Sequence, residues 1–257
     1  MTLLAGEALR QRCIEAVVTE GERFGILAQQ LSSGLTPVNG GLDVQVPWVP
    51  EWRARDLVGH LGTVHRWATD ILRAGTTEPP SGSRPTPPID DNLLDWYETG
   101  LVELVATLRT TPPEAPAWHM SPAAEKTAAS WARRQAHELV VHRMDLEVAG
   151  GGEPTPVEPA LAEDGVDELL GIVLPRWAHT EPLAGAEATV GVTCTDTGRT
   201  WSMSVVRGVV TVRPERTGSE DAHLHGGATA LLLHLWGRPA DVTVDGDPRA
   251  EALLRGR

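Results

Sequence analysis

Cysteine is nearly absent: Cys13 and Cys194 are the only two among 257 residues. Two cysteines so far apart exclude a disulfide framework and a CxxC zinc or redox motif. Lysine is scarcer still, with Lys126 alone, so arginine carries nearly all the positive charge. That charge is itself in short supply, 22 Lys and Arg against 35 Asp and Glu, a formal net charge of −13. So acidic a chain argues against broad contact with nucleic-acid phosphates and against docking on anionic lipid. No apolar run approaches the ~20 residues that a membrane span needs. Residues 1–13 lack the basic stretch and apolar core of a secretion signal. The expectation is a cytoplasmic protein with neither nucleic acid nor membrane as partner. Also missing are a G-x-S-x-G nucleophile elbow and a P-loop. Gly150, Gly151 and Gly152 follow a helical pattern rather than a strand, which excludes a dinucleotide fingerprint.

Hydrophobic periodicity is what the chain does have. Leu9, Cys13, Ala16, Val17, Phe24, Leu27 and Leu31 recur at steps near three and four, which predicts an amphipathic helix over 7–32. Pro47 and Pro50 make 36–53 a loop with short extended pieces. A second helix is predicted over 54–74, with Leu57, Val58, Leu61, Val64, Trp67 and Ile71 inward and Gly75 as its C-cap. The Pro-rich stretch 78–88 reads as a surface loop. A third helix is predicted over 90–109 and a fourth from Ser130 to about Ala149, stopped by the three glycines. Four helices in sequence suggest a bundle occupying 1–150.

The character changes after the linker-like segment 150–159. A helix is predicted over 158–174, then β-branched alternating runs at 187–195, 200–206 and 208–213 with turn residues between them. A short helix over 227–236, a strand at 241–244 and a last helix over 248–255 complete a small α+β domain, 151–257.

The strongest chemical feature is His137-Glu138-x-x-x-His142. Glu138 and His142 are four apart and share a helical face, whereas His137 points about 100° away. A carboxylate and an imidazole facing a bundle interior make half of a metal site. His60, among Leu57, Val58 and Leu61, is the best third ligand. Two histidines and one carboxylate leave coordination positions open, as a catalytic divalent ion requires. The bland alternatives are a chance helical Glu/His pair and a hydrogen-bonded core histidine. His65, His119, His179, His223, His225 and His234 read as surface or loop residues. His223-x-His225 falls at a strand end, where alternation would put both on one face. Cys13 reads as core. The run Glu163, Asp164, Asp167, Glu168 reads as a solvated helix face.

The stretch Val46-Pro47-Trp48-Val49-Pro50-Glu51-Trp52-Arg53-Ala54-Arg55-Asp56-Leu57-Val58-Gly59-His60-Leu61-Gly62 resembles the P-x-W-x-x-x-D-L-x-x-H-L-G motif of the mycothiol-dependent maleylpyruvate isomerase family, a DinB-like group of metalloenzymes. Val64-His65-Arg66-Trp67-Ala68, Trp131 to Glu138, His142-Arg143-Met144-Asp145, Val166 to Leu170 and Leu235-Trp236-Gly237-Arg238-Pro239 extend the resemblance over most of the chain. It implies an N-terminal DinB-like four-helix bundle and a C-terminal α+β domain similar to sterol-carrier folds. It also implies a divalent metal, usually zinc, on His60, Glu138 and His142, with mycothiol as cosubstrate. Arg238 matches the family's functional arginine, expected to hold a substrate carboxylate or steady an enolate.

On this resemblance the chain is a cis–trans isomerase or thiol S-transferase acting on a small electrophile, as a monomer or homodimer. His137 or Asp145 would orient a ligand, and Arg66, Arg133, Arg134 and Arg143 would contact the cofactor. The chain departs from the family where Trp48-Val49-Pro50-Glu51-Trp52 leads into the second helix and across 111–130, which leaves the electrophile open. A metal-dependent hydrolase without a thiol and a non-catalytic small-molecule carrier are the competing classes.

Overall fold

The opening apolar stripe becomes helix α1, Leu3–Ser32, which buries Cys13, Ile14, Val17, Phe24, Ala28 and Leu31. The computed structural model describes residues 3–89, 91–180 and 187–254. They form two compact units. The first holds the chain up to His119 together with Glu125–Thr155; the second holds Met120–Ala124 and the chain from Pro156 onward.

The first unit is the four-helix arrangement that periodicity predicts. Helix α2 spans Ala54–Ala74 and ends on Gly75 in the left-handed conformation (φ 61°), where a residue without Cβ is least strained. Helix α3 is Leu93–Thr110 and α4 is Ala128–Ala149. α1 packs against α4 and α3, and α2 against α3 and α4. α2 approaches α3 closely at Gly62, where a Cβ would stand 2.6 Å from the Trp96 ring. Trp131 lies fully buried from α4, its ring 5.4 Å from that of Trp67 on α2.

The segment before α2 is folded back on itself. Val46 N donates to Trp52 O at 2.9 Å, Ala54 N donates to Val44 O at 2.9 Å, and Gln45 pairs with Arg53. Arg53 N donates to the Asp56 carboxylate at 2.8 Å, capping the first turn. This turn fixes Trp52 at the mouth of α2. Arg143 is fully buried and ties α4 to α1: Nε donates to Glu20 at 2.7 Å and Nη1 to Glu147 at 2.5 Å. Nη1 also donates to Thr155 O at 2.7 Å, and Thr155 N donates to Glu147, which keeps Thr155 with the helices.

In the second unit Pro159–Glu168 form α5, capped by the Glu158 carboxylate. A wide π-helical turn, Leu169–Val173, carries it on into α6, Leu174–Thr180, so the helical stretch is longer and less regular than periodicity predicts. Ser121 belongs here, its hydroxyl donating to Ile172 O at 2.7 Å.

Five strands follow: β1 Ala188–Cys194, β2 Thr200–Val206, β3 Val209–Arg213, β4 Ala222–Gly226 and β5 Thr243–Gly246. Among the described residues the sheet order is β3-β2-β1-β4-β5, with β1 and β4 parallel and the other neighbours antiparallel. Helix α7, Ala228–Leu235, packs against α5 and β4, and α8, Pro248–Glu251, sits against β1, β4 and β5. Val190, Val192, Trp201, Met203, Ala222 and Leu224 fill the covered face. Residues between them, Thr193, His223 and His225 included, point to the other. Among the described residues no helix is long and apolar enough to cross a membrane.

Candidate metal centre

Three donors meet inside the first unit. His60 comes from α2; Glu138 and His142 come from successive turns of α4. Nε2 of His60 lies 2.7 Å from Oε1 of Glu138, and Nε2 of His142 lies 3.5 Å from the same oxygen. Zinc bonds of about 2.0–2.2 Å place neighbouring tetrahedral ligand atoms roughly 3.3 Å apart. These two separations bracket that value, and all three donor atoms lie within 4.8 Å of one another, a spacing that could hold a metal ion. All three side chains are partly covered, with 27%, 16% and 13% of their surface exposed for His60, Glu138 and His142. One side of the trio therefore stays reachable.

The surroundings orient each donor. Nδ1 of His142 is 2.9 Å from Oδ2 of the buried Asp145. That pairing fixes the tautomer that leaves Nε2 for the ion. Arg134 Nη2 donates to Oε2 of Glu138 at 2.9 Å, which leaves Oε1 toward the histidines. The Trp52 ring lies 4.9 Å from the His60 ring and 5.9 Å from that of His142, covering both.

Charge follows this arrangement. Burial alone would push the Glu138 carboxyl up, but Arg134 and the two histidines outweigh it and hold it well below the usual carboxylate range. Burial also opposes charge on His142; the Asp145 and Glu138 carboxylates overcome it and raise its pKa to about 9. In both cases the site is built for a positive centre beside Glu138, supplied by a proton or by a metal ion.

An open cleft of about 540 Å³ adjoins His60, walled by Trp52, Arg55, Thr63, Arg84 and Pro87. Arg84 comes from the Pro-rich stretch read as a plain surface loop and stacks 3.9 Å over the Trp67 ring. Glu51 and Asp56 also reach the cleft, so its charge is mixed.

Comparison with protein families places the chain. The mycothiol maleylpyruvate isomerase N-terminal domain matches residues 27–147, and the C-terminal domain of the same family matches 160–252. The chain belongs to that family. The crystal structure of mycothiol-dependent maleylpyruvate isomerase aligns over 92% of both chains at 12% identity and a TM-score of 0.59. A point mutant of that enzyme aligns over 92% of both chains at 13% identity and a TM-score of 0.61. At such identity these likenesses speak for the fold. A comparison with curated proteins found no match.

Within this family member the other sequence-read residues separate. Arg143 has no exposed surface, and Glu20, Glu147 and Thr155 take its Nε and Nη1 donors. Arg66 points to α3 instead of the cleft, stacking 4.0 Å over Trp96 and donating to Gly62 O. Arg134 serves Glu138. Arg238 lies just beyond α7 in the second unit, where Nη1 donates to Trp236 O at 2.5 Å.

Several residues read as exposed are buried. His65 is fully buried, 5.3 Å from the Tyr97 ring, with neither ring nitrogen hydrogen-bonded among the described residues. His119 is buried against Trp131. Glu168 is buried too, and Asp167 accepts from the Trp201 indole at 2.8 Å. His179 carries no described side chain. Trp52 lines the cleft, as the stretch leading into α2 was expected to do; Arg84 escaped the sequence reading because it sits in a loop, where periodicity says nothing about facing.

Proposed function

We propose that the first unit holds one divalent ion, zinc by its donor set, on His60, Glu138 and His142, and uses it to activate the thiol of mycothiol. Two imidazoles and a carboxylate suit zinc or a neighbouring transition ion better than magnesium or calcium. A bound divalent ion supplies the charge that keeps a thiol ionised near neutral pH. The chain's own residues do the rest. Asp145 holds His142 in its coordinating tautomer, Arg134 holds Glu138 by its far oxygen, and Trp52 shields both imidazoles from bulk water. The cleft beside His60 gives a small electrophile room to approach.

The reaction class is reversible thiol addition to a conjugated cis alkene. A C–S bond forms, rotation about the resulting single bond follows, and C–S cleavage returns the thiol. An S-transferase would use the same residues and stop after the bond forms. Arg55 and Arg84 are the cleft residues suited to an anionic substrate, and Arg238 is the residue that the family resemblance assigns to that task.

The observation that carries this reading is the convergence of three donors on one point, with separations near those of a tetrahedral zinc site. The test is activity of the zinc-loaded chain on conjugated cis-alkene acids with mycothiol, product geometry read by NMR. Conversion to the trans isomer with mycothiol unconsumed supports the isomerase. Stoichiometric loss of thiol shifts the assignment to the transferase. No reaction in either sense removes the catalytic reading.

A further inference from the structure

A second cluster of metal-type donors stands in the other unit, on the sheet face opposite its packed core. His223 and His225 sit two apart on β4, so both side chains leave the same face. Ala222 and Leu224 between and beside them are buried on the other side and anchor the strand. In the β4–β5 pairing Asp245 stands directly opposite His223. The two imidazole rings are stacked with centroids 5.0 Å apart, and Nε2 of His225 lies 3.1 Å from Oδ2 of Asp245. One donor atom from each of the three lies within 4.8 Å of the others.

We propose that His223, His225 and Asp245 form a second site for a divalent transition ion, zinc, nickel or copper, separate from the one in the helical unit.

Three features of the sheet support it. A His-x-His pair on a strand with a carboxylate from the neighbouring strand needs no loop to converge, and sites on regular elements are held more closely than sites on loops. Thr193, on the neighbouring strand β1, places its hydroxyl 2.9 Å from Nε2 of His223, the kind of outer contact that fixes a ligand ring. Gly246 (φ 91°) brings the end of β5 so close to β4 that a Cβ there would collide with Asp221 O, and this pins Asp245 in register. His225 and Asp245 already stand near the roughly 3.3 Å spacing of tetrahedral ligands, and imidazole rotation on an open face lets the remaining donors, all within 4.8 Å, close to it. Arg216 lies over Gly191, the register partner of His223, and its charge works against a cation. Glu220 pairs with that guanidinium at 3.2 Å and offsets it. With no buried wall around it, this site binds more weakly than the one on His60, Glu138 and His142.

The blander account is that Asp245 and His225 form a surface ion pair guarding an edge strand. The two differ in metal stoichiometry. The metal-free full chain is titrated with zinc against a chromophoric chelator, as wild type, as His60→Ala and as the double variant His223→Ala/His225→Ala. Two equivalents in wild type, with the weaker lost only in the double variant, is the expected result. Asp245→Asn, at an exposed position that leaves folding intact, should weaken that equivalent at least about tenfold. Two equivalents in both wild type and the double variant overturn the proposal. A single equivalent lost in His60→Ala also overturns it and leaves the helical site standing. A single equivalent lost in the double variant keeps it and removes the helical one.

Discussion

Nδ1 of His142 and Oδ2 of Asp145 are 2.9 Å apart, one helical turn from each other on α4, and Asp145 is fully buried. The carboxylate therefore serves the histidine and not solvent. Asp145→Asn keeps the shape and removes the charge that fixes the ring. It should lower zinc affinity by about 10–100-fold while leaving the helical content unchanged. Chelator competition beside circular dichroism checks this, and unchanged affinity would mean that Asp145 has only a packing role.

Arg143 illustrates a different use of charge. It bridges Glu20 and Glu147 with no exposed surface, so Arg143→Met leaves two buried carboxylates with only the more distant, partly exposed Arg23 as counter-charge. The loss should be about 3–5 kcal/mol in chemical denaturation. Replacing both carboxylates as well, Glu20→Gln with Glu147→Gln, should recover much of it. Mycothiol affinity of the folded fraction should not change, since Arg143 does not face the cleft.

His65 makes stability pH-dependent in acid. Burial comes first among the causes that lower its pKa, from 6.5 to about 3, and nearby Arg66 and His60 add to it against Glu138. The folded state thus holds it neutral. Its contribution is fully present above about 6.5 and is lost as pH falls from there toward 3, where the unfolded chain takes up the proton first. The slope attributable to this one group reaches about 1.4 kcal/mol per pH unit. His65→Leu should flatten the acid limb of denaturation midpoints between those pH values, and an identical slope in the variant would refute the assignment.

The helical half was legible because its stripes are long. Leu57, Val58 and Leu61 fixed the inward face of α2, and with it His60; spacing on α4 did the same for Glu138 and His142. Burial of charge was not legible. Arg143 and Glu168 look like surface residues in any pattern, and Arg143 goes inside only on the carboxylates of Glu20 and Glu147. His65 shares α2 with His60 but faces Tyr97, which no spacing rule reveals. Strand β4 was hinted at only by its two histidines, since a strand with polar residues on its open face carries a weak apolar signal. The π-helical turn at Leu169–Val173 carries no sequence signal of its own, since its apolar residues keep the spacing of a helix.

On the proposed function, His60, Glu138 and His142 hold an ion which in turn holds the thiol. The most direct test is calorimetric titration of mycothiol into the zinc-loaded chain, wild type beside His142→Ala. One mycothiol site per chain is expected in wild type and none in the variant. Equal affinity in both proteins would contradict it.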